Sequence, residues 1–424
     1  MKYSKLFNRL PDKLGMYLIL LLMTFCSYEL GARNITVGSG KQYSSISSAI
    51  SAAKGGDTIT IYAGTYKESD LQITKKLTIR GVGRPIIDGQ QKKSIFEIRA
   101  AGSSISGLQV QHAGYSSMED YAGIKIIETH HVVVSDNIVL DNYFGILFSQ
   151  TVNCIAKNNT VSASQQSTEI SGNAIHCWRA DSITIFGNRL NGHRDGIYFE
   201  FVTNSHIEEN ISTHNNRYGL HFMFSHHNTY IHNTFQYNGS GVAVMYTNHV
   251  IMKHNLFLDN WGDAAYGLLL KEISDSEIYD NVFKNNTMGI LSEGSSRINI
   301  VRNSFIQNGW AMRIQASSMD IKVDSNNFQS NTFDMGTNGS LVLSKFSRNY
   351  WDKYEGYDLN RDHIGDVPYR PVSLFSMITE SNPIVMVLFR SLISILIDKA
   401  ERIIPSLTPE DLKDDTPAMK PYQI

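Results

Sequence analysis

The sequence predicts an all-β protein, a right-handed parallel β-helix of about 22 residues per coil. Three observations lead there. A short apolar strand opening on a small residue recurs at Gly123, Gly145, Ala174, Gly196, Gly219, Gly241, Gly267, Gly289 and Ala311, mostly 22 or 23 residues apart. An Asn series keeps step with it: Asn137, Asn158, Asn188, Asn210, Asn233, Asn255, Asn281, Asn303 and Asn326. Between these marks the residues alternate as strands do, and a fixed period of this size makes each repeat one rung of a solenoid. Residues at one phase of successive rungs then stack in columns.

The 424 residues therefore read as one elongated domain. Only 18% are charged and the net charge is -2, which gives no reason to expect nucleic acid as a partner. Lys2, Lys5, Arg9 and Lys13 precede the apolar run 14–25, the pattern of a secretory signal, here taken as residues 1–32 with cleavage after Ala32. An uncleaved anchor is the alternative. Cleavage would leave a net charge of about -4. Of the three cysteines, Cys26 falls in the signal; Cys154 and Cys177 occupy different phases of the coil, so no structural disulfide is expected.

Residues 33–57 form an N-terminal cap. Ile46, Ala49, Ile50 and Ala53 fall on one helix face, and Gly55–Gly56 ends that helix. A cap is needed because the first rung otherwise exposes an open edge and an uncovered core. Coils occupy 58–351, on the order of thirteen rungs and roughly 60 Å of rod at ~4.8 Å each. The glycine is expected where φ is positive or a Cβ has no room. The Asn is expected at another corner, in the left-handed conformation, with stacked amides. After the coils come a non-repeating segment (352–382), an apolar to amphipathic helix (383–404) opening on Asn382–Pro383, and a polar, extended tail (405–424).

The strands after the glycine read GILFS (145–149), AIHCW (174–178), GIYFE (196–200), GLHFM (219–223), GVAVM (241–245), GLLLK (267–271) and GILSE (289–293). Their second and fourth residues are almost all apolar and point inward. The outward columns are then Leu147, His176, Tyr198, His221, Ala243, Leu269, Leu291 and Ser149, Trp178, Glu200, Met223, Met245, Lys271, Glu293. A plain solvated face would carry Lys, Glu, Thr and Ser; aromatic, thioether and imidazole groups mark a contact surface instead. Ten of the 14 histidines lie between His176 and His254.

Three readings fit that face. Methionine and aromatic side chains suit protein docking. Met223 and Met245 in adjacent rungs, with His176 and His221, offer the soft donors that favour Cu(I). Sugar cleavage needs a carboxylate pair about 5–10 Å apart, yet Glu200 and Glu293 are four rungs apart. His193, Arg194 and Asp195, with Arg217 at the phase of Arg194, are the best polar cluster; a structural corner is the bland account of it. Asp358, Asn360, Asp362 and Asp366 resemble a calcium loop, although His363 stands where such loops carry glycine and no closing Glu follows; otherwise they make an Asx-turn network. The run 384–397 contains Arg390 and is too short to span a membrane, so it either caps the last rung or inserts into a membrane partner or the bilayer surface; the partner is the expectation.

HRDGIYFEF (193–201), RYGLHFMFS (217–225), GVAVMYT (241–247), NWGDAAYGLLLKEISDS (260–276), NGWAMRI (308–314) and NYWDKYEGYDLNRDHIGDVPYRPVSLF (349–375) together resemble the NosD family, from the cap to the C-terminal helix. The resemblance implies a periplasmic β-helix that serves assembly of the copper centres of nitrous-oxide reductase alongside an ABC transporter of ATPase and permease. It implies partners in the permease, the reductase and a copper chaperone, and no enzymatic activity of its own. The chain has no G-x-x-x-x-G-K-S/T phosphate loop, so ATP hydrolysis would belong to the transporter. In that picture Trp178, Tyr198 and Glu200 dock a protein on the rod. Leu388, Phe389, Leu392 and Leu396 dock the permease. His176, His221, Met223 and Met245 handle copper transiently. A β-helical polysaccharide lyase, hydrolase or epimerase is the alternative.

Overall fold

The computed structural model describes residues 32–164, 171–403 and 412–424; the expected signal lies outside them but for Ala32. Three parallel sheets of 14, 12 and 13 strands wrap one apolar core. The first runs from Asn34–Val37 to Lys345–Ser347 and the glycine sheet from Leu71–Ile73 to Phe333–Gly336. The third runs from Thr65–Tyr66 to Tyr350–Trp351. Counting the first sheet from Thr58–Tyr62 gives thirteen coils, the number the repeat predicts. A helix at Ile46–Ala52 begins the rod, with Ser45 accepting a bond from the Ser48 N–H as its N-cap and with Ile46, Ala49 and Ile50 buried.

Side-chain ladders hold the coils in register. Asn137, Asn159, Asn188, Asn210, Asn233, Asn255, Asn281, Asn303, Asn326 and Asn349 are buried at the corner between the first and third sheets. Asn137 takes the backbone N–H of Leu108, and each later member takes that of the Asn one coil earlier, as in Asn210 N to Asn233 Oδ1 at 3.0 Å. Each also donates to a carbonyl of an earlier coil, as in Asn233 to Ile207 at 2.9 Å. Stacked amides were expected, but two details differ. Asn159, not Asn158, is the ladder member in its coil. The left-handed residue is the one before each Asn, for example Asn158 (φ 54°), Glu209 (55°) and His232 (56°). An Asn held in helical or strand-like φ can aim its amide along the rod axis, whereas the exposed corner residue absorbs the turn.

A second ladder, unforeseen from the sequence, joins Asn215, Asn238, Asn260, Asn286, Asn308 and Asn331 at the next corner. Beside it Phe235, Phe257, Phe283, Phe305, Phe328 and Trp351 stack in the core, ring centroids 4.1–5.6 Å apart. These ladders explain the glycine. Its φ is not positive. A Cβ on Gly267 would lie 2.8 Å from the Gly289 carbonyl oxygen and 3.1 Å from the Phe283 ring. A Cβ on Gly241 would lie 2.3 Å from the Gly267 oxygen. Of the two reasons expected for the glycine, lack of room is the one observed.

The C-terminal region departs from its expected form. The single helix over 383–404 is instead a 3-10 segment, Pro383–Leu388, and an α-helix, Leu392–Ile403, broken where Arg390 adopts φ 60°. A further helix, Leu374–Ser381, precedes them. The tail from 412 onward is part of the rod. Asp414 is buried and accepts from the Asn349 N–H and amide and from the Trp351 indole, so it ends the Asn ladder. Asp414 and Tyr369 exchange backbone bonds of 2.8 and 2.9 Å. The helices over 374–403 therefore hang from the rod's end as a lobe, beside a clasp made by Tyr369 and Asp414. Among the described residues no helix is long and apolar enough to cross a membrane.

Candidate functional site

The glycine sheet carries the outward columns in the expected register. Leu147, His176, Tyr198, His221, Ala243, Leu269 and Leu291 are successive strand partners, as are Trp178, Glu200, Met223 and Met245. Outward does not mean exposed: Leu147, His221, Ala243, Leu269 and Leu291 are buried under their neighbours.

His176, Tyr198, His221 and Met223 line one cleft of about 310 Å³, together with Phe144, Asn173, Arg194 and Arg217. Rings pave it in series, Phe144 to His176 to Tyr198 to His221, with centroids 4.8–4.9 Å apart. The Tyr198 hydroxyl reaches Met223 Sδ at 3.8 Å. Met245, one rung further, lies instead against an outer apolar cluster of Ala243, Leu269, Met288 and Leu291. Trp178 stacks under the Arg179 guanidinium, 4.6 Å from its centroid, and neither Trp178 nor Glu200 lines the cleft.

Below the cleft lies a buried charge pair. Asp195, fully buried, accepts from Arg217 through Nε at 2.9 Å and through Nη2, and from the Tyr218 N–H at 3.2 Å. Burial alone would raise this carboxyl; the Arg217 guanidinium outweighs it and holds it below the usual value. Arg217 Nη2 also lies 3.2 Å from His221 Nδ1. A guanidinium only donates, so Nδ1 accepts and a neutral His221 carries its proton on Nε2. His176 repeats the arrangement, with the Asn173 amide nitrogen 3.2 Å from its Nδ1. Burial pulls His176 down to about 4, so its ring is neutral near pH 7. Burial, then Glu200, pushes the Tyr198 hydroxyl up to about 12. His193, at the corner beneath, is buried, and burial lowers it to about 4.

Among the described residues no group of three or more His, Cys, Asp and Glu side chains is disposed to hold a metal ion. His176 and His221 are brought together with Met223, but each Nδ1 is already engaged. A metal at either ring must displace a hydrogen bond or a proton. At 358–366 the carboxylates cap backbone N–H groups. Asp358 accepts from Asp362 and His363, Asp362 from Ile364, and Asp366 from Leu359, which is the Asx-turn network. Cys154 and Cys177 are free thiols in the core. In the lobe, Leu392 and Leu396 are exposed with Ile384 and Val387, whereas Phe389 turns inward toward Phe333 and Phe375 and Leu388 is half-buried.

Two features escaped the sequence reading. The residue before each glycine forms its own outward column (Phe144, Asn173, Asp195, Tyr218, Ser240, Tyr266, Met288), and aligning it would have exposed Asp195 as the odd member. Phe201, Phe224 and Tyr246 stack along a corner at centroid spacings of 5.3 and 5.1 Å, all with positive φ and with Phe201 and Phe224 exposed.

Fold and face thus define a parallel β-helix with a recessed aromatic, imidazole and thioether surface on one sheet. Residues 163–361 match the family described as NosD, periplasmic copper-binding protein. A curated relative from Stutzerimonas stutzeri, "Probable ABC transporter binding protein NosD", is 26% identical over 180 residues; the match covers 37% of this chain and 40% of that protein. Among solved structures, the chain superposes on a mannuronic-acid-specific family 6 polysaccharide lyase from human gut microbiota, with a TM-score of 0.54 and 11% identity. That superposition covers 89% of this chain and 100% of the other. The Dettilon tailspike protein gives a TM-score of 0.53 at 14% identity over 70% of this chain and 64% of its own. The A-module of Azotobacter vinelandii mannuronan C-5 epimerase AlgE4 gives 0.50 at 18% identity, over 70% and 88%. At these identities the likeness is one of fold.

Proposed function

We propose that this chain is a periplasmic, non-enzymatic accessory protein for assembly of the copper centres of nitrous-oxide reductase, working with an ABC transporter. The observation that carries the reading is the NosD match over 163–361, because it spans the rungs that bear the histidine- and methionine-rich face. Copper is cargo here. Met223 and Met245 are direct strand partners, and thioethers bind Cu(I) without losing a proton. His176 and His221 join only as their Nδ1 hydrogen bonds are given up, which weakens their hold and makes transfer reversible. Trp178, Tyr198 and Glu200 flank this point and receive the reductase or a copper chaperone. The lobe presents Ile384, Val387, Leu392 and Leu396 to the permease; the clasp lets it do so while Asp414 keeps the last coil closed.

The test is the copper content of the reductase. Cells lacking this chain should accumulate reductase polypeptide depleted in copper, restored by the wild-type gene. Copper-replete reductase in its absence refutes the proposal. A second reading, a polysaccharide lyase or epimerase, has one observation in its favour: a neutral imidazole and a tyrosine hydroxyl share a cleft with two arginines. Turnover of an acidic polysaccharide by the purified chain would select it.

A further inference from the structure

The Asp195–Arg217 pair is an expense the fold does not require. The same column elsewhere holds Phe144, Tyr218, Ser240, Tyr266 and Met288, so neutral residues serve the coil equally well. Buried ion pairs rarely add stability over apolar replacements. What the pair does is fix a side chain. With Arg217 on its Nδ1, His221 must present Nε2–H, and that buried nitrogen has no partner in the protein. Asn173 shows the complement: its Nδ2 faces His176, and its buried Oδ1 has no partner either. The cleft wall thus holds one unmet donor and one unmet acceptor. Its lining includes two guanidiniums, Arg194 and Arg217, and no carboxylate, since Asp195 lies beneath and is neutralised. Rings of Phe144 and Tyr198 supply flat apolar walls.

We propose that this cleft binds a hydroxylated organic carboxylate, a single uronate-type ring. Its carboxylate accepts from His221 Nε2–H and Arg194, a hydroxyl donates to Asn173 Oδ1, and its C–H face lies on the aromatic walls. A bare cation fits poorly beside two arginines, and a simple alkyl carboxylate leaves Asn173 unsatisfied. A cavity of about 310 Å³ holds one such ring and not a chain of them. This goes beyond the copper reading, in which the thioethers hold the metal and the histidines join, and it requires binding without turnover.

The experiment is calorimetric titration of the full chain with D-glucuronate, with D-glucose (no carboxylate) and acetate (no hydroxylated body) as comparators. Glucuronate should bind saturably, and each comparator at least roughly tenfold more weakly. Arg194→Ala and His221→Phe should each weaken glucuronate about tenfold or more, with melting temperature checked in parallel; Arg194→Gln serves if the alanine variant is unstable. Acetate binding as tightly as glucuronate, glucose binding as tightly, or unchanged affinity in folded Arg194 and His221 variants overturns the proposal. Met245→Ala, outside the cleft, should keep glucuronate affinity whatever happens to its copper, so failure of either reading is visible separately.

Discussion

Two aromatic ladders run along this rod, and they differ in what sustains them. The inner one, Phe235 to Trp351, is buried, stacked within 5.6 Å and packed on glycines that leave it room. The outer one, Phe201–Phe224–Tyr246, stacks just as closely, but on left-handed backbone and partly in solvent. Bulky residues are strained in that backbone conformation, and these rings are only partly buried in return. The inner ladder is explained by folding. The outer ladder is not, and it stands in the same coils as His221, Met223 and Met245.

Breaking the inner ladder should be costliest. Phe283→Ala opens a cavity between Phe257 and Phe305 and should cost about 3–5 kcal/mol in denaturant unfolding. The Asn ladder beside it comes next. Asn281→Ala removes the acceptor of the Asn255 N–H, one of the two acceptors of the Asn255 amide and the donor to the Met252 carbonyl, an expected loss on the order of 2–3 kcal/mol.

Acid should act through the buried histidines. Because burial lowers His193 and His176 to about 4, the unfolded chain binds protons that the fold refuses between roughly pH 6.5 and 4. Stability is therefore full above that window and falls as pH drops through it. His193→Leu should flatten the decline by about 1–3 kcal/mol, read from melting curves at pH 7 and 4.5. Smallest of all, Phe224→Asn should change stability by less than about 0.5 kcal/mol, since Asn tolerates the left-handed corner. A loss as large as that of Phe283→Ala would make the two ladders equivalent and erase the contrast.

Most of the rod was legible in the sequence because its period is short and its glycines are spaced by sterics that admit no substitute larger than alanine. The register of the outward columns followed from them, and so did the neighbouring thioethers of Met223 and Met245. What could not be read was the partner of each polar group. The choice between Asn158 and Asn159 depends on which backbone φ turns the corner, and periodicity does not distinguish adjacent residues. The Asp195–Arg217–His221 contacts join neighbouring coils at different phases, so no single column shows them. The tail looked polar and loose, yet Asp414 satisfies the last rung of a ladder that begins far away in sequence.

The most direct test of the central claim, that the glycine-sheet face of the middle coils handles copper, is competitive Cu(I) titration of the wild type against Met223→Ala/Met245→Ala. The account predicts at least about a tenfold loss of affinity in a variant that melts like the wild type. Equal affinity in the two proteins would contradict it.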